Sequence, residues 1–347
     1  MINKSKELSE VYLIGVGNIG NSLLEIINHI NLPFIQVSKI ASSKKMLINY
    51  KGLNLNTAIE ELNTSGENFE LKKFLEKNNT SNKKILVDCT ASNSIANKYI
   101  HILDSGFSIV TANKIANSIE QKYYDQIRQN TISSQLKFKY ETNVGGGLPI
   151  ISTIKRLINT GDEIIRIEGI LSGTLSYLFS KFNPKNPFSN ILIKAKNNGF
   201  TEPDPRNDLS GIDVARKILI LARETGYKIE LKDVHIDSLI PSKVNQGLSI
   251  DTFLSLMEKF DHKYENLYNK AQKDNKKLRY IASWDNKGAK VGLQSVSNQN
   301  PFYYQSGREN FVTIKSKRYF DSPIVIKGHG AGASVTAAGV FHDICNC

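Results

Sequence analysis

One segment of the sequence places several carboxylates close to a lysine. It reads GFTEPDPRNDLSGIDVARKILILARETG and covers residues 199–226. Glu202 and Asp204 each precede a proline, which disfavours helical dihedral angles and predicts a stiff, extended segment with both carboxylates on one side. Stiffness suits a site, because the carboxylates then need no reordering at each turnover.

A helix is predicted from Ile212 onward. Its buried stripe is expected to be Ile212, Ala215, Ile218, Leu219 and Ala222. Asp213 and Lys217 are four residues apart and project together from another face. Lys217 could protonate an alkoxide, or the pair could be an ordinary surface ion pair worth ~0.3–0.5 kcal/mol, with Ser210 and Asp213 forming a capping box. The spacing alone leaves both interpretations open.

A glycine-rich turn near the N-terminus predicts a dinucleotide site. It has the pattern GxGxxG and lies between the apolar run EVYLI and an amphipathic helical stretch. In this context the glycines permit a tight turn and close approach of a pyrophosphate, which the helix N-terminus faces. An ordinary glycine-rich turn is the alternative. The expected cofactor contacts are Gly15, Gly17, Asn18, Ile19 and Gly20.

The end of the next predicted strand indicates which dinucleotide is bound. NAD enzymes offer Asp or Glu to the ribose 2′-hydroxyl there, whereas this chain has Ser42, Ser43, Lys44 and Lys45. Hydroxyl and ammonium groups could bind a 2′-phosphate, so NADP(H) is favoured, with NAD(H) left open and Ser42 and Lys44 as expected contacts. A solvated lysine pair is the alternative.

Strand and helix patterns alternate over the first part of the chain. The predicted strands are EVYLIG, FIQVSKIA, KKILVDCT, FSIVTA and LKFKYET. This alternation predicts a Rossmann-type, doubly wound parallel sheet. Ligands bind at the carboxyl ends of such strands, so Lys114, which follows the fourth of them, could lie near the nicotinamide.

The pattern changes after Pro149. Helices dominate, and LRYIASWDNKGAKVGLQSV predicts a hairpin with the turn DNKG. We expect an α+β substrate and dimerisation domain over 149–328. The Rossmann domain is expected to cover 1–148 and to be completed by a C-terminal helix within 329–347.

Composition excludes several classes of protein. The net charge is +12, but the lysines are scattered among asparagines and isoleucines without interleaved aromatics, which argues against nucleic-acid binding. No apolar run is long enough to span a membrane, and MINKSKELSE lacks the features of a secretory signal, so we expect a cytoplasmic protein that binds no membrane. Cys89, Cys345 and Cys347 do not have the spacing of a disulfide framework or a zinc site.

Motifs along nearly the whole chain resemble those of homoserine dehydrogenases. They occur in family order: VYLIGVGNIG, IASSKKMLINYKGLNL, VDCTASNSIANKY, GFSIVTANK, YETNVGGGLPII, IEGILSGTLSYLF, the 199–226 segment and GHGAGASVTAAGVFHDI. The chain is most similar to the dehydrogenase half of bifunctional aspartokinase/homoserine dehydrogenases. His329 departs from the family pattern. The resemblance leaves open whether the natural protein is fused to an aspartokinase.

The resemblance implies reversible NAD(P)H-dependent interconversion of L-homoserine and L-aspartate 4-semialdehyde by a homodimer. Lys217 resembles the proton donor and acceptor, and Lys114 resembles a second lysine near the reacting oxygen and the cofactor. Glu202 and Asp213 resemble ligands of homoserine, with Asp208 as a helper. Further cofactor contacts are implied at Thr90, Gly199 and Gly332.

The loop around the three glycines 145–147 resembles a monovalent-cation site of the family, for Na⁺ or K⁺. The matching positions are Glu141, Val144, Gly146 and Leu148. Glycines allow carbonyl oxygens to turn inward, and such oxygens with one carboxylate suit a hard, weakly charged ion. The same glycines would also serve a tight hinge.

Three other functions are consistent with parts of the sequence. An aspartate semialdehyde dehydrogenase would need a thiolate, and Cys89 is poorly suited because Asp88 beside it would raise its pKa. A non-catalytic NADP-binding sensor would be marked by loss of Lys217, Glu202 or Asp213, all of which are present. A nucleic-acid binder would rest on net charge alone.

Overall fold

A computed structural model describes residues 7–78, 80–242, 244 and 247–347. The chain divides into two compact units. The first consists of Met1–Gly147 with Ala331–Cys347, and the second of Leu148–Gly330. No described helix is long and apolar enough to cross a membrane.

The first unit contains a mixed sheet in which the central strands are parallel. Its order is β4-β3-β2-β1-β5-β6-β7. The strands are β1 (Ser9–Ile14), β2 (Ile35–Ala41), β3 (Lys45–Ile48), β4 (Glu67–Asn68), β5 (Lys83–Asp88), β6 (Ser108–Thr111) and β7 (Phe138–Lys139). β3 and β4 are antiparallel to their neighbours. The predicted Rossmann-type sheet is therefore confirmed, with an antiparallel edge that the sequence patterns did not predict.

Helices connect these strands. They are α1 (Asn18–Ile30), α2 (Ala58–Thr64), α3 (Leu71–Phe74), α4 (Asn93–Ala96), α5 (Tyr99–Asp104), α6 (Ile115–Ser118) and α7 (Gln121–Ser134). Alternate residues of β1 enter two cores on opposite faces of the sheet: Val11 and Leu13 pack with α1, and Tyr12 and Ile14 pack with α5. Burial on both faces explains the continuous apolar pattern of β1.

The second unit is built on a largely antiparallel sheet. Its order is β13-β12-β8-β10-β11-β9. The strands are β8 (Ile164–Ile170), β9 (His235–Ile236), β10 (Lys277–Asp285), β11 (Gly288–Val296), β12 (Asn310–Ser316) and β13 (Ile324–Gly328). β10 and β11 form the predicted hairpin, because Asp285 pairs with Gly288 across a two-residue turn. The predicted α+β class is confirmed for this unit.

The helices of the second unit include the one that carries Lys217. They are α8 (Ile150–Asn159), α9 (Gly173–Lys181), α10 (Phe188–Asn197), α11 (Pro205–Leu209), α12 (Ile212–Glu224), α13 (Ile250–Met257) and α14 (Asp261–Lys273). The predicted stripe of α12 is buried except for Ile212, which is 45% exposed. That part of the prediction was wrong because Ile212 begins the helix, where the periodic stripe does not yet face the core.

The chain returns to the first unit through α15 (Ala333–Cys345). Ala337, Val340 and Ile344 of this helix pack in the same core as α1. Gly339 allows the close approach, because a Cβ there would lie 2.6 Å from Cγ2 of Thr142 and 3.3 Å from the carbonyl oxygen of Gly146.

A buried ion pair joins β1 to β5. Glu10 and Lys84 are partners in the parallel register, and Nζ of Lys84 lies 3.0 Å from Oε1 of Glu10. Burial acts to raise the pKa of Glu10, but hydrogen bonds from Asn82, Lys84 and Thr80 outweigh it, so the pKa is lowered. The carboxylate is thus held charged inside the unit.

We predict that Lys84→Met lowers the free energy of unfolding by about 3–5 kcal/mol, because it leaves the buried Glu10 carboxylate without its cation. Since its folded-state pKa is lowered, Glu10 stabilises the protein above its ordinary pKa of 4.5, and this contribution is lost as pH falls through the folded value. Denaturant unfolding at neutral and acidic pH measures both effects. The double change Lys84→Met with Glu10→Gln is the control and should restore much of the stability at neutral pH; equal losses in both variants would contradict the assignment.

Candidate active site

The three glycines of the GxGxxG turn after β1 have different surroundings. Gly15 has a φ of +98°, and a Cβ there would lie 2.7 Å from Cγ2 of Thr90. A Cβ on Gly20 would lie 2.0 Å from the carbonyl oxygen of Gly15, so α1 could not begin against the turn. Gly17 differs, because its φ is −80° and a Cβ would meet nothing within 4 Å. Its surroundings leave room for a group outside the chain to approach the backbone.

Asn18 and Ile19 form the first turn of α1, directly after Gly17. Gly17 caps this helix without a side-chain hydrogen bond. Backbone N–H groups at a helix N-terminus favour anions, which is what a pyrophosphate requires. The turn therefore has the local geometry that the sequence predicts for a dinucleotide site.

The predicted 2′-phosphate contacts lie in the tight turn between β2 and β3. The Ser42 hydroxyl accepts from the backbone N–H groups of Lys44 and Lys45, at 3.2 and 3.0 Å. Lys45 donates its ammonium to the carbonyl of Asn63. Ser43 and Lys44 are exposed. Ser42 therefore shapes the turn, and Lys44 carries an exposed charge at the carboxyl end of β2.

Buried Asp88 organises the loops after β5 and β6. Its carboxylate accepts from the Thr90 N–H at 2.8 Å, the Tyr99 hydroxyl at 2.7 Å and the Asn113 amide at 3.1 Å. Burial raises the pKa of Asp88, and the hydrogen bonds from Thr90, Tyr99 and Asn113 oppose this. Asn113 also donates to the Ser92 carbonyl at 3.0 Å. Both loops are held at the edge where the glycine turn lies.

Lys114 follows Asn113 and caps α6, and its side chain is half-buried. Thr90 accepts from the Ser92 N–H at 3.1 Å. These two residues are therefore placed on the loops that Asp88 fixes, at the carboxyl edge of the parallel sheet. Sequence patterns identified the loops but not the buried Tyr99, whose hydroxyl reaches Asp88 from α5.

Cys89 is poorly suited to nucleophilic catalysis. Burial raises the pKa of its thiol, and the neighbouring Asp88 carboxylate raises it further. A thiolate is the reactive form, so this environment opposes reactivity. The observation disfavours an aspartate semialdehyde dehydrogenase.

The loop expected to bind a monovalent cation has a glycine-dependent backbone. Gly145 and Gly146 have φ of +80° and +59°, and Val144 is fully buried. The Glu141 N–H donates to Asp343 of α15 at 3.0 Å. Among the described residues, no group of three or more His, Cys, Asp or Glu side chains could hold a metal. Leu148 begins the second unit.

The Lys217 side chain is turned inward and is only 12% exposed. Its ammonium donates to the Leu171 carbonyl at 2.8 Å, just beyond the end of β8. It also lies 2.8 Å from Oδ2 of Asp213, one turn earlier on α12. The predicted pair is thus formed, and it is directed toward the end of a strand rather than toward bulk solvent.

Glu202 and Asp208 lie beside this pair. The Glu202 N–H donates to Oδ2 of Asp208 at 2.8 Å. Burial raises the pKa of Asp208, the Glu202 and Asp213 carboxylates add to the increase, and hydrogen bonds from the Glu202 N–H and Thr174 oppose it. Asp208 is therefore close enough to both other carboxylates for their charges to raise its pKa. The structure brings Glu202, Asp208, Asp213 and Lys217 together, which we call the acidic cluster.

Thr174 of α9 is a member of this neighbourhood that the sequence analysis did not identify. Its hydroxyl donates to the Phe200 carbonyl at 2.6 Å, and Thr174 is close enough to Asp208 to oppose the rise in that residue's pKa. The motif IEGILSGTLSYLF contains the residue, but nothing in its spacing connects Thr174 to Phe200, 26 positions later.

Asp204 does not have the role that the extended-segment interpretation gave it. It caps α11, and Arg206 Nε and NH2 donate to its carboxylate at 2.9–3.0 and 2.7 Å. The hydrogen bond from Arg206 lowers the pKa of Asp204. Asp204 is therefore neutralised by Arg206 rather than available to the acidic cluster.

The two remaining predicted cofactor contacts are glycines with left-handed backbones. Gly199 has a φ of +66° and Gly332 a φ of +119°. A Cβ on Gly199 would meet nothing within 4 Å, and Gly332 precedes α15 as its cap. Gly332 belongs to the first unit and Gly199 to the second.

The fold and the glycine turn define a dinucleotide-binding α/β protein with a second, α+β unit. The family description "Homoserine dehydrogenase, NAD binding domain" matches residues 15–141, and the description "Homoserine dehydrogenase" matches residues 149–345. The chain belongs to the homoserine dehydrogenase family. The resemblance that the motifs carry is thereby confirmed, and the family is one of NAD(P)-dependent oxidoreductases.

Three relatives illustrate this membership. A bifunctional aspartokinase/homoserine dehydrogenase of Haemophilus influenzae is 40% identical over 98% of this chain and 43% of its own length. A homoserine dehydrogenase of Schizosaccharomyces pombe is 38% identical over 99% of this chain and 96% of its own length. A Candida auris protein of unknown function, 32% identical, superposes with a TM-score of 0.91 over 98% of both chains. The chain spans about two fifths of the bifunctional relatives it matches.

We predict that Gly17→Ala leaves the free energy of unfolding within about 0.5 kcal/mol of the unsubstituted protein, since its Cβ meets no atom. The dissociation constant of NADPH should rise about tenfold, ~1.4 kcal/mol, because the methyl group would block the pyrophosphate. Calorimetric titration and thermal unfolding test both effects. Gly20→Ala is the matched control and should lose about 1–3 kcal/mol of stability. Unchanged NADPH affinity in Gly17→Ala would contradict the placement.

Proposed function

We propose that the chain catalyses the reversible NAD(P)H-dependent interconversion of L-aspartate 4-semialdehyde and L-homoserine. The observation that carries the proposal is the acidic cluster, in which a mostly buried lysine is held between a carbonyl and a carboxylate. Family membership supports the reaction, and the first unit supports use of a nicotinamide cofactor.

The reaction explains why a lysine is needed. Hydride delivered to the aldehyde carbon produces an alkoxide, which requires a positive charge at once and a proton soon afterwards. Lys217 is the proposed donor, and in the oxidative direction it receives the proton. Asp213 and the Leu171 carbonyl hold the ammonium in one orientation, so little reordering is needed at each turnover.

The carboxylates of the acidic cluster suit the amino group of homoserine. Glu202 and Asp213 are the proposed substrate ligands, and Asp208 helps by fixing the Glu202 backbone at 2.8 Å. Three carboxylates and one ammonium leave an excess of negative charge, which favours a cationic amine. A cation arriving nearby would favour the charged form of Asp208, whose pKa burial raises.

In the first unit, we propose that NADP(H) binds through the glycine turn, with Thr90 and Gly332 as further contacts. Gly199, in the second unit, stays a predicted cofactor contact from the family resemblance. Lys114, on a loop fixed by Asp88, is proposed as a second catalytic lysine on the cofactor side. Lys44 supports a preference for NADP(H) over NAD(H), because its exposed ammonium follows β2 where no acidic residue opposes a 2′-phosphate.

Four further features stay predictions. A Na⁺ or K⁺ ion is proposed at Glu141, Val144, Gly146 and Leu148, and the left-handed glycines of that loop fit this role and a hinge equally well. A homodimer formed by the 149–328 region is proposed from family analogy.

Natural fusion to an aspartokinase is supported by the relatives that are bifunctional aspartokinase/homoserine dehydrogenases. The cytoplasmic location was inferred from sequence alone.

We predict that Lys217→Ala lowers kcat for homoserine oxidation with NADP⁺ by at least about 100-fold, because it removes the group proposed to take the proton; a small loss would favour Lys114 as the proton acceptor. Initial rates of NADPH formation measure this. Lys194→Ala, which removes an exposed lysine of α10 in the same unit, is the control and should retain near-full activity. A loss below about tenfold, ~1.4 kcal/mol in barrier, would be too small for the proposed role.

We predict that Lys44→Glu raises the dissociation constant of NADPH about tenfold or more and changes that of NADH by less than about threefold, because only NADPH carries the 2′-phosphate. Fluorescence titration of each cofactor tests this. Lys51→Glu changes an exposed lysine in the turn after β3 and is the matched control. Equal losses for both cofactors would remove Lys44 from the phosphate site. NADPH binding without homoserine turnover by the unsubstituted chain would favour a non-catalytic sensor.

A further inference from the structure

The carboxylates of the acidic cluster can neutralise only one of the two charged groups of an amino-acid substrate. Its carboxylates suit an ammonium group, but a zwitterionic substrate also carries a carboxylate on the same carbon. That carboxylate would be repelled by Glu202, Asp208 and Asp213 unless a cation lies close by. Lys217 is engaged by Asp213 and the Leu171 carbonyl, and Arg206 is engaged by Asp204.

A loop before β12 brings another cation, Arg308, against the first residue of α9. Ser176 of α9 donates its hydroxyl to the Gly307 carbonyl at 2.7 Å, and Gln305 donates to the Ser176 hydroxyl. Arg279 also holds the loop in place, and it is only 5% exposed. Its guanidinium donates to the carbonyls of Phe302, Tyr303 and Gln305 at 2.9–3.0 Å. The loop is therefore firmly attached to the first turns of α9.

Arg308 lies in this loop and packs against Gly173 and the Phe200 ring. A Cβ on Gly173, the first residue of α9, would lie 3.1 Å from the carbonyl oxygen and 3.6 Å from Cβ of Arg308. The Arg308 guanidinium lies 4.2 Å from the centre of the Phe200 ring. The Phe200 carbonyl accepts from the hydroxyl of Thr174, and Thr174 is close enough to Asp208 to oppose the rise in that residue's pKa. Arg308 is thus connected to Asp208 through only two intervening residues.

We propose that Arg308 is a specificity-determining residue that binds the α-carboxylate of the amino-acid substrate. The inference rests on the proposed function and deepens it by stating how the zwitterion is recognised. The guanidinium is exposed and, in the part of the chain that the structure describes, it has an aromatic partner but no ion pair. Its planar donors match a carboxylate in two-point contact.

The position of Phe200 strengthens the assignment. Its ring is packed edge-on against Tyr177 at 5.1 Å, so the surface on which Arg308 rests is fixed. A stacked guanidinium keeps its N–H edge available, because stacking uses only its face. The arginine can therefore bind a carboxylate without leaving the aromatic ring.

The test compares two substrates of the full chain, L-homoserine and 3-amino-1-propanol, which keeps the hydroxyl and the amine but lacks the carboxylate. We expect Arg308→Gln to raise the KM for L-homoserine about tenfold or more with kcat changed less than about threefold. The kcat/KM for 3-amino-1-propanol should stay within about twofold. Arg308→Lys should recover part of the loss, because it restores the charge without the planar fork.

The matched control is Lys277→Gln, which removes a cation stacked on Tyr303 of the same loop at 4.2 Å. It should affect neither substrate. Equal losses for both substrates in Arg308→Gln, or no loss for L-homoserine, would overturn the role of Arg308 while leaving the proposed function intact. Absence of L-homoserine oxidation by the unsubstituted chain would instead overturn the proposed function, and this inference with it.

Discussion

The ammonium of Lys217 determines how the second unit arranges its polar side chains. By donating to the Leu171 carbonyl it joins α12 to the end of β8, and its contact with Asp213 fixes the first turn of that helix. Leu171 is followed by Ser172, which caps α9, so the lysine, the start of α9 and the Thr174 contact with Asp208 form one continuous set. The ammonium of an ordinary surface lysine is hydrated. The Lys217 ammonium instead contacts a backbone carbonyl and a carboxylate, each at 2.8 Å.

Asp88 has a comparable position in the first unit. It is a buried acid at the end of β5, and its hydrogen bonds reach α5 and the loop after β6. Because a buried carboxylate must be satisfied by several donors, the loops that supply them have little freedom. The two units therefore share one feature at the ends of their strands. In each, a largely buried ionisable side chain, Asp88 or Lys217, is hydrogen-bonded to groups that fix the neighbouring backbone.

Local patterns predicted elements whose cause is local. Helix α1 begins and ends where its amphipathic stretch does, and the turn DNKG closes the β10–β11 hairpin. The sequence did not predict β3 and β4, because they have only four and two residues, too few for an alternating pattern to be recognised. The capping box that the spacing of Ser210 and Asp213 allowed as an alternative is not formed. Gly211 caps α12 with a φ of +74°, and a Cβ there would lie 2.2 Å from the Tyr280 hydroxyl of β10, so a distant strand fixes this helix start.

The same reasoning separates glycines that the fold needs from glycines that a ligand needs. Gly15, Gly20 and Gly211 are each explained within the chain, since a side chain would strike named atoms or a left-handed φ would be strained. Gly17 has an ordinary φ and open surroundings, so no constraint within its unit accounts for it. A pattern of letters cannot make this distinction, because all four are simply glycine in the sequence. The proposed dinucleotide would account for Gly17, because its pyrophosphate would approach the turn at the N-terminus of α1.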